Sequence, residues 1–457
     1  MKVFKIIFTI FIVSIFIFVI GCGDTTEYNI YYDNLDNATC DNPISYNKKT
    51  ETFKLKAPVH NNFKFLGWTY EGQEEPIKNV KIEKGSTGDK IFKANWLVLD
   101  LKKVDNEYQV IGLLDKSVEE VVIIEQFDGI KITSIGVNAF SDCTNLTNIT
   151  LSNNITSIGS DAFSGCTSLI YNEYNGGTYL GNKDNPYIAL IECDKTLKTY
   201  NINSATKVIG AHAFSYCEEL TNIEIPDSVI NIGNGAFLRC ISLTNIKIPE
   251  NIKSIGYYAF CFCTSLTGIT IPEGIESLET GIFAGCTSLE NVEIPSSVKR
   301  IGSSAFEKCA SLEEIELPTN VTSIGDEAFR ECASLVSIEI PEGVTSIGNS
   351  AFNGCTSLTS IEIPQSVTSI CNEAFRECTS LTSIEIPESV TRIGFNAFRE
   401  CTSLTSIIIP KGVTDIGISA FGECTSLTIY CETESKPYTW DDNWNYSKCP
   451  VVWSYKE

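Results

Sequence analysis

The chain has 457 residues, 43% hydrophobic and 20% charged, a balance that fits a folded polypeptide and excludes wholesale disorder. Its 34 basic and 57 acidic residues give a formal charge of −23, and such a surface repels phosphate backbones and anionic lipid, which argues against nucleic-acid binding. Only two histidines occur, His60 and His212, in unrelated contexts, so histidine-based hydrolysis and multi-histidine metal sites are all but excluded.

Residues 1–21 begin with Lys2 and Lys5 and continue as an apolar run from Ile6 to Ile20. The run is too short to cross a bilayer core of ~30 Å as a helix, but it suits the hydrophobic region of an export signal. It closes on Val19-Ile20-Gly21-Cys22, which resembles the lipobox of bacterial lipoproteins. That resemblance implies a lipidated Cys22 as the mature N-terminus, with residues 22–26 as a polar tether. The alternative is an ordinary signal peptide with an incidental cysteine. Either way the expected protein is exported. With lipid on Cys22 it is membrane-anchored, at the cell surface or outer membrane, with a periplasmic position left open.

Residues 27–97 are rich in aromatic and β-branched residues, and alternation such as Thr52-Phe53-Lys54-Leu55 predicts short strands with one buried face. The strings Phe63-Lys64-Phe65-Leu66-Gly67-Trp68 and Lys84-Gly85-Ser86-Thr87-Gly88, closed by Ala94-Asn95-Trp96, resemble the internalin B-repeat-like module. The resemblance implies a small β-grasp-like domain of a bacterial surface protein.

Further along, self-similarity dominates. From Cys217 to Cys424 a cysteine recurs every 23 residues, with a phenylalanine three positions before it and a leucine three after. Such a period predicts a solenoid whose units bury a core only by stacking. In the rung around Cys401, Leu381, Ile384 and Ile386 place two isoleucines on one face of a strand. Pro387 ends that strand, because proline cannot donate to a ladder. Val390 and Ile393 form a second inward segment, and Ala397, Phe398 and Cys401 fit a single helical or 3₁₀ turn that returns the chain.

The repeat resembles the BspA-like leucine-rich repeats of bacterial surface proteins over residues 98–430, with an irregular repeat at 170–216 and a C-terminal cap at 431–457. The implied fold class is a leucine-rich repeat solenoid with a parallel β ladder and short helical or 3₁₀ turns, preceded by the small β-rich domain. Glu279 and Cys371 stand where other repeats carry glycine, which predicts local distortion there.

Twelve cysteines occupy the repeat column and read as small buried thiols. No paired CxxC spacing suggests zinc. Cys431 and Cys449 lie beyond the regular array, in the aromatic cap of an exported protein, and are the candidate disulfide. No glycine-rich loop precedes a helix, so no cofactor is expected. Nor is an enzyme: His212 occupies a variable slot of an ordinary repeat and His60 a turn.

The outward strand position of successive repeats carries Glu293, Glu316, Glu339, Glu362 and Glu385. Neighbours ~5 Å apart repel by roughly 0.8 kcal/mol in water, a cost a solvated ladder can bear with no ligand. Repeat duplication copying a tolerated glutamate explains the run. So does a strip that selects basic protein partners or loosely held Ca²⁺. As a family trait, the resemblance implies adhesion or contact with host macromolecules, for instance a host extracellular protein with a basic surface. The alternative is an envelope spacer without a specific partner.

Overall fold

A computed structural model describes residues 26–35, 37–61 and 63–456. Cys22 and the apolar run before it lie outside the described residues. The described chain forms two compact units that divide between Val98 and Leu99.

The first unit is built on a mixed five-stranded sheet. Tyr28–Asp33 pairs in parallel with Lys90–Leu97 and antiparallel with Ser45–Tyr46. Lys64–Tyr70 pairs antiparallel with Lys90–Leu97 and with Gln73–Ile77. The alternation legible in the sequence buries Ile30, Phe92 and Trp68 in one core, with Trp68 fully enclosed. Gly67 is required beside it. Its φ is 153°, and a Cβ there would lie 2.6 Å from the Ile77 backbone nitrogen across the strand pair.

The second unit opens with an antiparallel hairpin, Leu99–Val104 and Glu107–Leu113, onto which Ile130–Ile135 adds in parallel. From there the chain winds as a solenoid. The V-x-x-I segment of each rung forms a two-residue strand, and these stack from Ser277–Leu278 to Asp415–Ile416 as one seven-stranded parallel sheet. The L-x-x-I-x-I segments pair in shorter groups, such as Gly268–Thr270 with Asn291–Glu293. Register advances by the repeat, so each column continues: outward, Ser360 faces Ser383, and inward, Ile361 faces Ile384.

The return segment makes the short i to i+3 turns that the spacing allowed, and they do not continue as a helix. Each rung places two residues at positive φ, Asn396 (52°) and Glu400 (66°) in one case, and a left-handed residue interrupts any right-handed helix. Between them the chain makes i to i+3 turns, such as Cys401 N–H to the Phe398 carbonyl at 3.2 Å. The alternate amides are turned along the stack instead: Asn396, Phe398 and Glu400 donate to the carbonyls of Ile418, Ala420 and Gly422. A left-handed residue costs roughly 1–2 kcal/mol, against a net ~0.5–1.5 kcal/mol for each bond between rungs. The ribbon is thus held chiefly by what it buries.

What it buries is continuous. Phenylalanine rings stack from Phe214 to Phe421 with centroids 5.0–5.7 Å apart, and the stack ends edge-on against Trp444. The thiols form a parallel column in which each sulfur from Cys240 to Cys424 donates to a phenylalanine carbonyl of the preceding rung, as Cys332 does to Phe306 at 3.1 Å. At ~1.5–3 kcal/mol for each large apolar side chain, stacking offsets the entropy of ordering the rung.

The two glycine departures behave differently. From Gly210 onward a Cβ at this glycine position would meet the preceding rung's backbone at 2.5–2.8 Å, as at Gly325 and Gly348. With Glu279 there the ladder breaks: Ser254–Ile255 ends one sheet and Ser277–Leu278 begins the next. At Cys371 the register holds, and Ser346–Ile347 still pairs with Ser369–Ile370, with Cys371 N–H to Ile347 O lengthened to 3.1 Å. The distortion expected from sequence is therefore confined to the first.

Candidate functional site

The strand face presents the glutamate run as one solvent-exposed line. Glu293, Glu316, Glu339, Glu362 and Glu385 are all exposed, because they alternate with isoleucines that point into the core. Glu339 sits directly opposite Glu362 in a parallel bridge. Glu316, Glu339 and Glu362 line one surface depression of about 400 Å³ together with Leu317, Ile340 and Pro364. The line ends at Thr270, whose hydroxyl donates to Glu293 at 2.8 Å, and at Ile408.

Charge on the turn face is organised in the opposite way. Arg330 contacts Glu307, Glu327 and Glu331 at 3.1–3.5 Å, Arg376 contacts Glu373 and Glu377, and Arg399 contacts Glu400 and Glu423. No ion pair of this kind reaches the five ladder glutamates among the described residues. The strand face therefore carries a line of carboxylates with no ion pair among the described residues, whereas each of these turn-face glutamates has an arginine in contact. No group of three or more histidine, cysteine or acidic side chains converges on a metal-sized point among the described residues.

The cap places its two cysteines in different columns. Cys449 continues the thiol column, with its sulfur 3.5 Å from the Cys424 carbonyl. Cys431 lies opposite Ile409 in the inner strand column. Both are free thiols in this structure.

The irregular repeat holds the features that sequence reasoning missed. There a cleft of about 520 Å³ is lined by Asp161, Tyr171, Glu192, Lys195, His212 and Tyr216, among others. Beneath it the sulfurs of Cys193 and Cys217 approach to 3.1 Å. The interval between Cys166 and Cys217, longer than one repeat, was the signal for a broken rung, but nothing in it announced a cavity. His60 stacks on Phe63, lies tilted against Trp96 and is half-buried in the first unit.

Parallel rungs, an unbroken apolar interior and an unpaired outer strand face define a leucine-rich-repeat solenoid, a scaffold class that is typically non-catalytic and generally binds macromolecules. The chain belongs to the family described as BspA type leucine rich repeat region, whose model matches residues 114–182, 190–313 and 299–428 in six copies. Proteins of this type are typically bacterial cell-surface proteins. The chain is similar to a leucine-rich repeat protein from Bacteroides ovatus, at 26% identity over 78% of this chain and 97% of that one, with a TM-score of 0.45. It is also similar to a leucine rich cell surface protein from Faecalibacterium prausnitzii, at 25% identity over 79% and 97%, with a TM-score of 0.34. The pneumococcal vaccine antigen PcpA shares 15% identity over 89% of this chain and 100% of its own, with a TM-score of 0.38. No curated protein matches the chain.

Proposed function

We propose that this protein is a bacterial surface lipoprotein, anchored through Cys22, whose solenoid captures a basic macromolecule on the glutamate ladder of its strand face. The partner class is a protein with a basic surface, such as a host extracellular protein. The observation that carries the reading is the contrast between the two faces: arginines contact the turn-face glutamates, and among the described residues no ion pair reaches the ladder from Glu293 to Glu385. A line of like charges spaced by one rung, ~4.8 Å, steers a basic partner at long range and contributes little to the fold. The reading assigns no catalysis and no cofactor to the chain.

The test is binding of the immobilised protein to a panel of basic and acidic host extracellular proteins at low salt and at about 0.5 M, where charges ~10 Å apart are screened. Binding of basic members that fades with salt supports the reading. Absence of binding to any member reduces the protein to an envelope spacer.

A further inference from the structure

The irregular repeat cuts a corner of the solenoid. Leu190 faces Ile209 and Thr199 faces Asn222, yet nine positions separate the first residues of these pairs and thirteen the second. The missing stretch is the turn ribbon, and its loss leaves hydrogen-bonding groups without partners. In every other rung from Phe140 to Phe398, three alternate amides donate to the next rung; His212, Phe214 and Tyr216, for example, donate to Asn234, Ala236 and Leu238 at 2.8–2.9 Å. The corresponding amides of Asp161, Phe163 and Gly165 have no backbone acceptor among the described residues. Across the gap, the Ala213 carbonyl accepts from Cys193 at 3.0 Å, while those of Ala211 and Ser215 receive no backbone amide.

The side chains show the same opening. Phe163 stacks on Phe140 at 5.4 Å, and the next ring stack begins only at Phe214 with Phe237. Phe163 and Cys166 are each 7% exposed, where Phe140, Phe214 and Phe237 are 0% and Cys143 and Cys217 at most 1%. The cleft of about 520 Å³ lies between these two walls.

We propose that the cleft is a docking slot for an extended peptide segment of a partner protein, which enters as the absent turn ribbon. Donors on every second residue of one wall match carbonyls on every second residue of an extended chain, and the Ala211 and Ser215 carbonyls take its amides. One apolar side chain of the segment packs against Phe163 and Tyr171. Glu192 is held by Lys195 at 3.5 Å, but Asp161 has no ion-pair partner among the described residues, so a lysine or arginine of the segment answers it at the rim. This slot is separate from the glutamate ladder and goes beyond the reading based on it.

A phage-displayed library of random seven-residue peptides, panned on the full chain, tests the proposal. Two variants plug the cleft from opposite walls, Ala211→Trp and the exposed Ser164→Trp, each checked for native thermal unfolding. The expected result is a set of peptides, enriched in basic and apolar residues, that bind at least tenfold more weakly to the plugged variants. Their binding should slow hydrogen exchange at Asp161, Phe163 and Gly165. Peptides that bind plugged and open forms alike, an empty selection, or unchanged exchange at these amides overturns the proposal. Should neither variant fold, hydrogen exchange on the wild-type protein with selected peptides decides alone.

Discussion

The sulfurs of Cys193 and Cys217 lie 3.1 Å apart in the buried interior of the irregular repeat. Every regular rung instead aims its sulfur at a phenylalanine carbonyl, as Cys240 does to Phe214 at 3.1 Å. The thiol–thiol hydrogen bond holds the Cys217 thiol below its ordinary range and the Cys193 thiol well above it. Oxidised glutathione present during refolding is therefore expected to link this pair. One cysteine of the pair, as its thiolate, displaces one glutathione from the disulfide, and the other then displaces the second. The closed loop stabilises by about 3–4 kcal/mol in the chain-entropy model. Peptide mapping should find Cys193 joined to Cys217 and leave Cys431 and Cys449 unlinked; a Cys431–Cys449 link would contradict the column assignment.

The thiol column also sets the alkaline limit of the fold. Burial pushes the Cys332 and Cys424 thiols up to about 12, and those of Cys309, Cys355 and Cys378 well above their ordinary value of 9.0. A raised folded-state pKa means that the thiol's contribution is complete below pH 9 and is lost as pH climbs from there through the folded value. Under reducing conditions the urea midpoint should be level from pH 7 to 8. Above pH 9 it should fall steeply as the unfolding free energy drops by up to ~1.4 kcal/mol per pH unit for each buried thiol. Cys332→Ala should remove one thiol's share of that slope. A midpoint independent of pH up to 10.5 would rule out a buried, protonated column.

Ser350 distinguishes the turn ribbon from a helix. Its φ of 52° lies in the left-handed region, and its amide donates to Asn372 at 2.8 Å. Ser350→Gly keeps the bond and relieves the backbone, so it should raise stability by about 1 kcal/mol; in a helical turn the same change would cost about that much. Ser350→Val should destabilise. Urea unfolding of the two variants gives the sign.

Much of this architecture was legible because the repeat is so regular. The spacing of Leu381, Ile384 and Ile386 fixes which side chains point inward, and Pro387 marks where the strand stops, so the parallel ladder and the outward glutamates follow from period alone. The ribbon did not follow. Ala397, Phe398 and Cys401 have helical spacing, and the left-handed positions between them carry Asn396 and Glu400, which do not announce positive φ. Gly281 and Gly285, which stand at these same two positions in another rung, were the available signal. The ion pairing of the turn face was hidden as well, since Arg330 meets Glu307 only through stacking of successive rungs. Cys193 lay outside the repeating column, and its partner emerged only when the shortened rung brought its strand beside Cys217.

The anchor assigned to Cys22 makes a separate expectation. Cys22→Ser should leave the protein uncleaved or move it from the detergent phase to a soluble fraction, as followed by phase partitioning of cell extracts. Unchanged partitioning would remove lipidation from the account.

The ladder is tested most directly by replacing its three central carboxylates together. Glu316, Glu339 and Glu362 point away from the core, so the triple Glu→Gln variant should keep its fold and gain up to about 1–2 kcal/mol from relieved repulsion at low salt. Affinity for a basic partner and thermal stability are to be measured on wild type and variant across salt. The account predicts weaker binding by the variant at low salt, a difference that closes near about 0.5 M, and an intact fold. Equal affinity at every salt concentration, with stability raised, would show that the ladder is a tolerated product of repeat duplication and that the binding surface lies elsewhere.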